Sequence, residues 1–139
     1  MKKNIIILVV LSSFVIVGFS QEKAFQIYNA DGEKVSYRIF SQSCAKADVV
    51  LFGENHNDPI SHWLQLELTK SLFEEHGENL MLGAEMIESD NQVVLDEYLL
   101  GFIREKDFEK ESKIWPNHKT DYRPLLRFVI FSSRRRHTR

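Results

Sequence analysis

Four residues have the types and spacing to do chemistry together: Glu54, His56, His62 and Glu85. Glu54 and His56 belong to the loop Gly53-Glu54-Asn55-His56, directly after four consecutive apolar residues. A carboxylate and an imidazole two residues apart can converge on one metal ion or on one substrate proton. Gly53 lets the backbone turn sharply into that loop. His62 falls near the start of the next helix, where the loop can bring it back over His56. Glu85 ends the following apolar run, and Glu88 comes soon after. In open α/β sheets ligands bind outside the carboxyl ends of the strands, so two histidines and two carboxylates would share one rim. Each residue has a plainer explanation when taken alone. Glu54 could stabilise a helix N-terminus, His56 could bond to backbone, and His62 could sit half buried against Leu66. As a set at adjacent strand ends they are read as a functional site. Lying on a loop, Glu54 and His56 are expected to tolerate truncation to alanine with little loss of fold.

Other polar residues carry less. His76 precedes Gly77 and is expected to complement the end of a helix dipole. His118 lies in a polar loop and has no assigned role. Cys44 is the only cysteine, so the chain has no internal disulfide. Beside Ala45 and Ala47 on a short helix, it reads as a buried thiol rather than a nucleophile. There is no phosphate-binding glycine loop, CxxC, HExxH or GxSxG, so hydride transfer, P-loop chemistry and serine hydrolysis lack sequence support. The net charge of -2 argues against a nucleic-acid partner.

The elements that must position these residues follow from period and punctuation. Phe25–Tyr28 alternates and runs into the turn signal Asn29-Ala30-Asp31-Gly32. Val35–Tyr37 reads as a short return strand or, preferably beyond Ser36, as a helix to about Ala47. Val49–Phe52 reads as a buried strand of a parallel sheet. Asp58 followed by Pro59 is a helix start, and the helix should run to about His76 and stop at Gly77. Ile60, Leu64, Leu68 and Leu72 form its apolar stripe, flanked by Trp63 and Leu66. Leu80–Ala84 is expected as the next strand, completing a right-handed βαβ unit. A helix capped by Ser89 or Asp90 should reach Ile103 with Val94, Leu95, Tyr98, Leu99 and Phe102 on its apolar face. A charged helical turn over 107–113 and a last helix from Thr120 or Asp121 follow. Two core strands cannot cover their own faces and edges. The expected fold class is therefore α/β, a partial, truncated doubly wound parallel sheet with flanking helices.

At the N-terminus, Lys2 and Lys3, the apolar run Ile5–Val17 and the small residues Gly18 and Ser20 have the layout of a signal peptide over 1–20. The run is shorter than the roughly 20 residues a spanning helix needs. Export to the periplasm or cell envelope is the expectation. Residues 21–131 are read as the N-terminal part of one domain. Residues 132–139 break the amphipathic pattern and are read as a non-native basic tail, of the kind that translated sequencing-adapter DNA leaves.

From about Ala47 to Phe128 the chain resembles the ChaN-like family of haem-binding uptake proteins, within the wider Tiki superfamily. The matching stretches are Asp48–His56, His62–Thr69, Leu82–Met86, Asp90–Gln92, Asp96–Leu99, Trp115 and Lys119–Leu125. The resemblance covers most of the chain after the leader but only about the first half of a family domain. It implies a larger parallel sheet, and a role in haem or iron acquisition at the bacterial cell envelope. By that match Glu54, His56, His62 and Glu85 are carried over as an active or metal site. The cofactor implied is haem, with a divalent metal as a further candidate. A haem or iron carrier is the expected partner, and a homodimer and envelope transport components are further candidates. Tyr28, Tyr37, Tyr98 and Tyr122 carry phenols that could ligate ferric haem; none is assigned by motif, and Tyr122, at a helix start beside Asp121 and Arg123, is the least easily dismissed. Several family members are lipoproteins, and this leader lacks the lipid-accepting cysteine. The alternative is a hydrolase, metal- or Glu/His-dependent, like the superfamily's peptidase and erythromycin-esterase branches. There the same four residues would bind a metal or activate water.

Overall fold

The computed structural model describes residues 24–134, with side chains to residue 132. The leader expected over 1–20 and most of the tail expected over 132–139 lie outside the described residues.

Asn29 shapes the first element. Its Oδ1 accepts from the backbone N–H groups of Asp31 and Glu33 at 3.1 and 2.8 Å, and Gly32 takes the positive φ of 78° that closes the turn. Strands β1 (Ile27–Tyr28) and β2 (Lys34–Val35) therefore pair antiparallel, Ile27 opposite Val35. Ser36 then accepts from Ile39 N–H and caps α1 (Tyr37–Cys44). Both readings of this region are thus realised in succession. Cys44 ends α1, and burial pushes its thiol pKa up, as suits a structural thiol.

Asp58 caps α2 (Pro59–His76) through Ile60 N–H, with Pro59 at the first helical position. Gly77 ends it with φ 54°. Leu68 and Leu72 are buried, whereas Trp63 is half exposed against Phe25. His76 does more than offset a dipole: its Nε2 lies 2.9 Å from the carbonyl of Ala45, tying α2 to the end of α1. A short 3₁₀ turn, Ser89–Asn91, leads into α3 (Gln92–Leu100). Gly101 in the left-handed region (φ 83°) stops α3 before Ile103, so Phe102 swings out to 77 % exposure. Helix α4 (Glu105–Glu111) packs Phe108 flat on Tyr98, ring centroids 4.9 Å apart. Tyr98, Phe108 and Ile130 of α5 (Arg123–Arg134) form the core, with Val94, Leu95 and Leu126 against it. Glu105 locks the three helices together: Arg127 grips it bidentately at 2.6 and 2.7 Å, and Tyr98 Oη donates at 3.0 Å. Those bonds from Arg127 hold the Glu105 pKa low against partial burial.

The expected parallel sheet is not formed. Among the described residues, helices dominate and the sheet is the two-stranded β1–β2 hairpin. Val49–Phe52 and Leu80–Ala84 carry no ladder. A strand exists only through a neighbour that takes its N–H and C=O groups, and neither segment has one among the described residues. Val49, Leu51 and Met81 are consequently 74, 91 and 92 % exposed.

Candidate functional site

Three pieces of chain meet at the Glu54 side chain. The loop after Phe52 supplies Glu54 and His56. The first turn of α2, fixed by Asp58 and Pro59, supplies His62, with Gln65 one turn on along the same face. The third piece is a turn of π-helix, His118–Tyr122, immediately before α5. Such widened turns recur at functional sites. Here it turns Tyr122 inward, 3 % exposed, 68 residues from the carboxylate it serves.

The Glu54 carboxylate makes three hydrogen bonds and one further close contact, with His62. Tyr122 Oη donates to Oε1 at 2.6 Å, and His56 Nδ1 lies 3.1 Å from the same oxygen. His62 Nδ1 lies 3.0 Å from Oε2, which also accepts from the Gln65 amide. A carboxylate offers about four lone-pair directions, and the three hydrogen bonds take up most of them. Partial burial works against its ionisation. The bonds from Tyr122 and His56, the charge of His62 and the bond from Gln65 outweigh that, and hold its pKa below the ordinary carboxylate value. Tyr122 responds in the opposite sense: burial, and donation to Glu54, push its phenol up to about 12.

His62 is 4 % exposed, and both ring nitrogens face oxygens. Nδ1 meets Glu54; Nε2 lies 3.1 Å from the His56 carbonyl and 3.8 Å from Asp121 Oδ2. Tyr122 stacks edge-on to the His62 ring at 4.5 Å. Asn117 closes the arrangement: its Nδ2 donates to the His56 carbonyl at 2.6 Å and to Asp121 Oδ2 at 2.9 Å. Trp115 sets its ring edge-on to both His56 (4.8 Å) and Tyr122 (5.7 Å).

His56 is the exception to all this enclosure. Its side chain is 55 % exposed. Its Nδ1 is held by Glu54, and Nε2 has no hydrogen-bond partner among the described residues.

The profile of one protein family matches residues 40–135, that of ChaN, the haem-binding uptake proteins of the Tiki superfamily. The chain belongs to this family. No curated protein and no solved structure matches the chain.

This ChaN-family chain brings together three of the four residues singled out by spacing, Glu54, His56 and His62, and adds Tyr122. Glu85 stands apart, exposed in the turn after Ala84, with no hydrogen bond or ion pair to the other three. The expected metal set of Glu54, His56, His62 and Glu85 is not assembled. Among the described residues no group of three or more His, Cys, Asp or Glu is arranged to hold a metal ion. Hydrogen bonds already occupy these groups: Glu54 accepts three, and both ring nitrogens of His62 lie against oxygens. The side-chain nitrogen left open among these residues is Nε2 of His56, which would be the atom available to hold an incoming ligand. Gln65, Asn117, Asp121 and Trp115 were not singled out as site residues by spacing. The i, i+3 relation of Gln65 to His62 was the one local signal available for any of them.

Proposed function

We propose that this chain is an exported haem- or iron-binding protein of the bacterial cell envelope, acting in iron acquisition. The family match supports a haem-related role, and the layout of residues 1–20 supports export. The observation that carries the reading is the contrast within the site: a carboxylate that accepts three hydrogen bonds, bracing one histidine whose outer nitrogen is open. When bound, haem would supply the iron chemistry, and the chain's part is to bind and orient it. The partners on this reading are a haem or iron carrier, envelope transport components and a second copy of the chain. We include the wider parallel sheet in the proposal, since the backbone of 49–52 and of 81–83, which makes no backbone–backbone hydrogen bond among the described residues, is suited to further strands. The hydrolase alternative needs a carboxylate free to take a proton or a metal, and the three hydrogen bonds to Glu54 disfavour it. Titrating the purified chain with ferric haem tests the reading: a saturable Soret shift near one equivalent is expected, and its absence would refute haem binding. Sequencing the N-terminus of the chain recovered from a periplasmic fraction should begin at Gln21.

A further inference from the structure

We propose that His118 is a proton-operated latch: uncharged, it seats the turn His118–Tyr122 against α4, and its protonation releases that turn from the Glu54 cluster. The latch is independent of the haem-related reading, because it governs how the cluster is held together, whatever the cluster binds.

His118 is 3 % exposed, deep for an imidazole. It opens the widened turn, and its carbonyl accepts from Arg123 N–H, the bond that closes that turn. Residues at the two ends of this stretch reach the cluster: Asn117 Nδ2 donates to the His56 carbonyl, and Tyr122 Oη donates to Glu54. Moving His118 therefore moves both. The ring lies against the core, its centroid 6.2 Å from that of Phe108 on α4. The charged groups that act on it are on α4, on the turn itself and on α5; from α2 the turn meets His62, which faces Asp121 instead. Glu109 of α4 comes nearest, Oε1 3.9 Å from Nε2, too far for a hydrogen bond. That oxygen is buried and accepts no hydrogen bond. It is shared with Arg123 Nη1 at 3.6 Å, while Oε2 faces Lys119 at 3.9 Å. Glu105, the other α4 carboxylate that acts on the ring, is already gripped by Arg127. A proton on the ring would thus add a third cation around one carboxylate, in a buried place with no acceptor at bonding distance among the described residues. Burial weighs most, ahead of the attraction of Glu109 and the repulsion of Arg123, and holds the His118 pKa below its ordinary 6.5. The seated turn therefore prefers the uncharged ring. Its stabilisation is complete above 6.5 and is lost as pH falls through the folded value, which is the behaviour of a histidine switch.

Histidine-ring titration by NMR and amide hydrogen exchange, both on the full chain, test the latch together. The window runs from 6.5 down to 4.5, and Glu54, held below 4.5 by its hydrogen bonds, stays ionised within it. The His118 ring, identified by its absence from the His118→Gln spectrum, should titrate below 6.5. The amides of Asp121 and Arg123, which bond to the carbonyls of Asn117 and His118, should lose protection in step with it. The loss should be about tenfold for each full unit by which the ring lies below its ordinary value. His118→Gln cannot take up the proton and should keep that protection constant across the window. Should that variant fail to fold, Glu109→Gln serves: it removes the nearest attraction for the charged ring, so the titration should move lower still and the loss of protection in acid should deepen. A ring that titrates at or above 6.5 overturns the latch, the imidazolium then closing on Glu109 as an ion pair. Protection that ignores the His118 titration overturns it too. A loss that persists in His118→Gln assigns the acid response to His56 or His62 and likewise overturns the latch.

Discussion

The segment Val49–Phe52 and the loop Glu54–His56 adjoin in the chain and differ in how their polar groups are met. The loop's carboxylate accepts three hydrogen bonds, from the loop itself, from α2 and from the turn before α5. The segment has no backbone–backbone hydrogen bond among the described residues, and Leu51 is 91 % exposed. A side-chain cluster closes with a few residues that helix geometry delivers, whereas a ladder closes only against another strand. The same division recurs around Leu80–Ala84. There a groove of about 230 Å³ opens between Thr69 and Phe73 of α2, Leu80 and Leu82, and Phe128 and Val129 of α5. It includes no residue of the Glu54 cluster, so the satisfied and unsatisfied regions are separate.

The largest effect expected from breaking the closed region is in Glu54→Ala. Removing the shared acceptor leaves the Tyr122 hydroxyl and the His62 ring without their partner, and losing one side of a buried pair costs about 3 kcal/mol. His56→Ala should cost under about 1 kcal/mol, since that side chain is 55 % exposed. Urea denaturation of the two variants measures the difference. The sequence reading treated Glu54 and His56 alike, as loop residues safe to truncate; equal, small losses would restore that reading and remove the hub.

How far the sequence carried is visible in those same residues. Caps and stops were legible because they act locally: Asp58-Pro59 opens α2, Ser36 opens α1, and Gly77 ends α2. The pairing of Glu54 with His56 and His62 was legible because loop and first turn lie within a few residues. Asn117, Asp121 and the depth of Tyr122 were not, because they reach Glu54 and His56 only once α5 has packed against α2, about sixty residues later. The parallel sheet is not shown among the described residues for the converse reason. Apolar runs signal burial, but nothing local states whether the strand that would bury them is present.

Acid should weaken the closed region next. The Glu54 pKa is depressed in the folded chain, so its contribution is present above the ordinary carboxylate value of 4.5 and is lost as pH falls through the folded value. Stability measured from pH 6 downward should therefore fall, and the fall should be shallower in Glu54→Gln. Parallel curves would mean that Glu105, whose pKa is also lowered, carries the acid response instead. In alkali the sign reverses for Tyr122. Its raised pKa favours the folded state fully below the free phenol's value of 10, and that favour is lost as pH rises through about 12. Absorbance titration near 295 nm should show one phenol ionising last, and Tyr122→Phe should remove that step while costing about 1–2 kcal/mol.

The smallest effect is expected in the open region, and it is the one that tests whether the region is open. Leu51→Lys places a charge where the side chain is 91 % exposed. With no packing to lose, it should shift stability by no more than about 0.5 kcal/mol. An exposed apolar segment with unpaired N–H and C=O groups is also a template for edge-to-edge association, and a lysine there opposes it. Sedimentation across a concentration series should then show less self-association in Leu51→Lys than in the wild type at equal stability. A loss of 2 kcal/mol or more would instead mean that Leu51 is buried in solution, by a strand or a second chain, and that the contrast between the two regions belongs to the isolated chain alone.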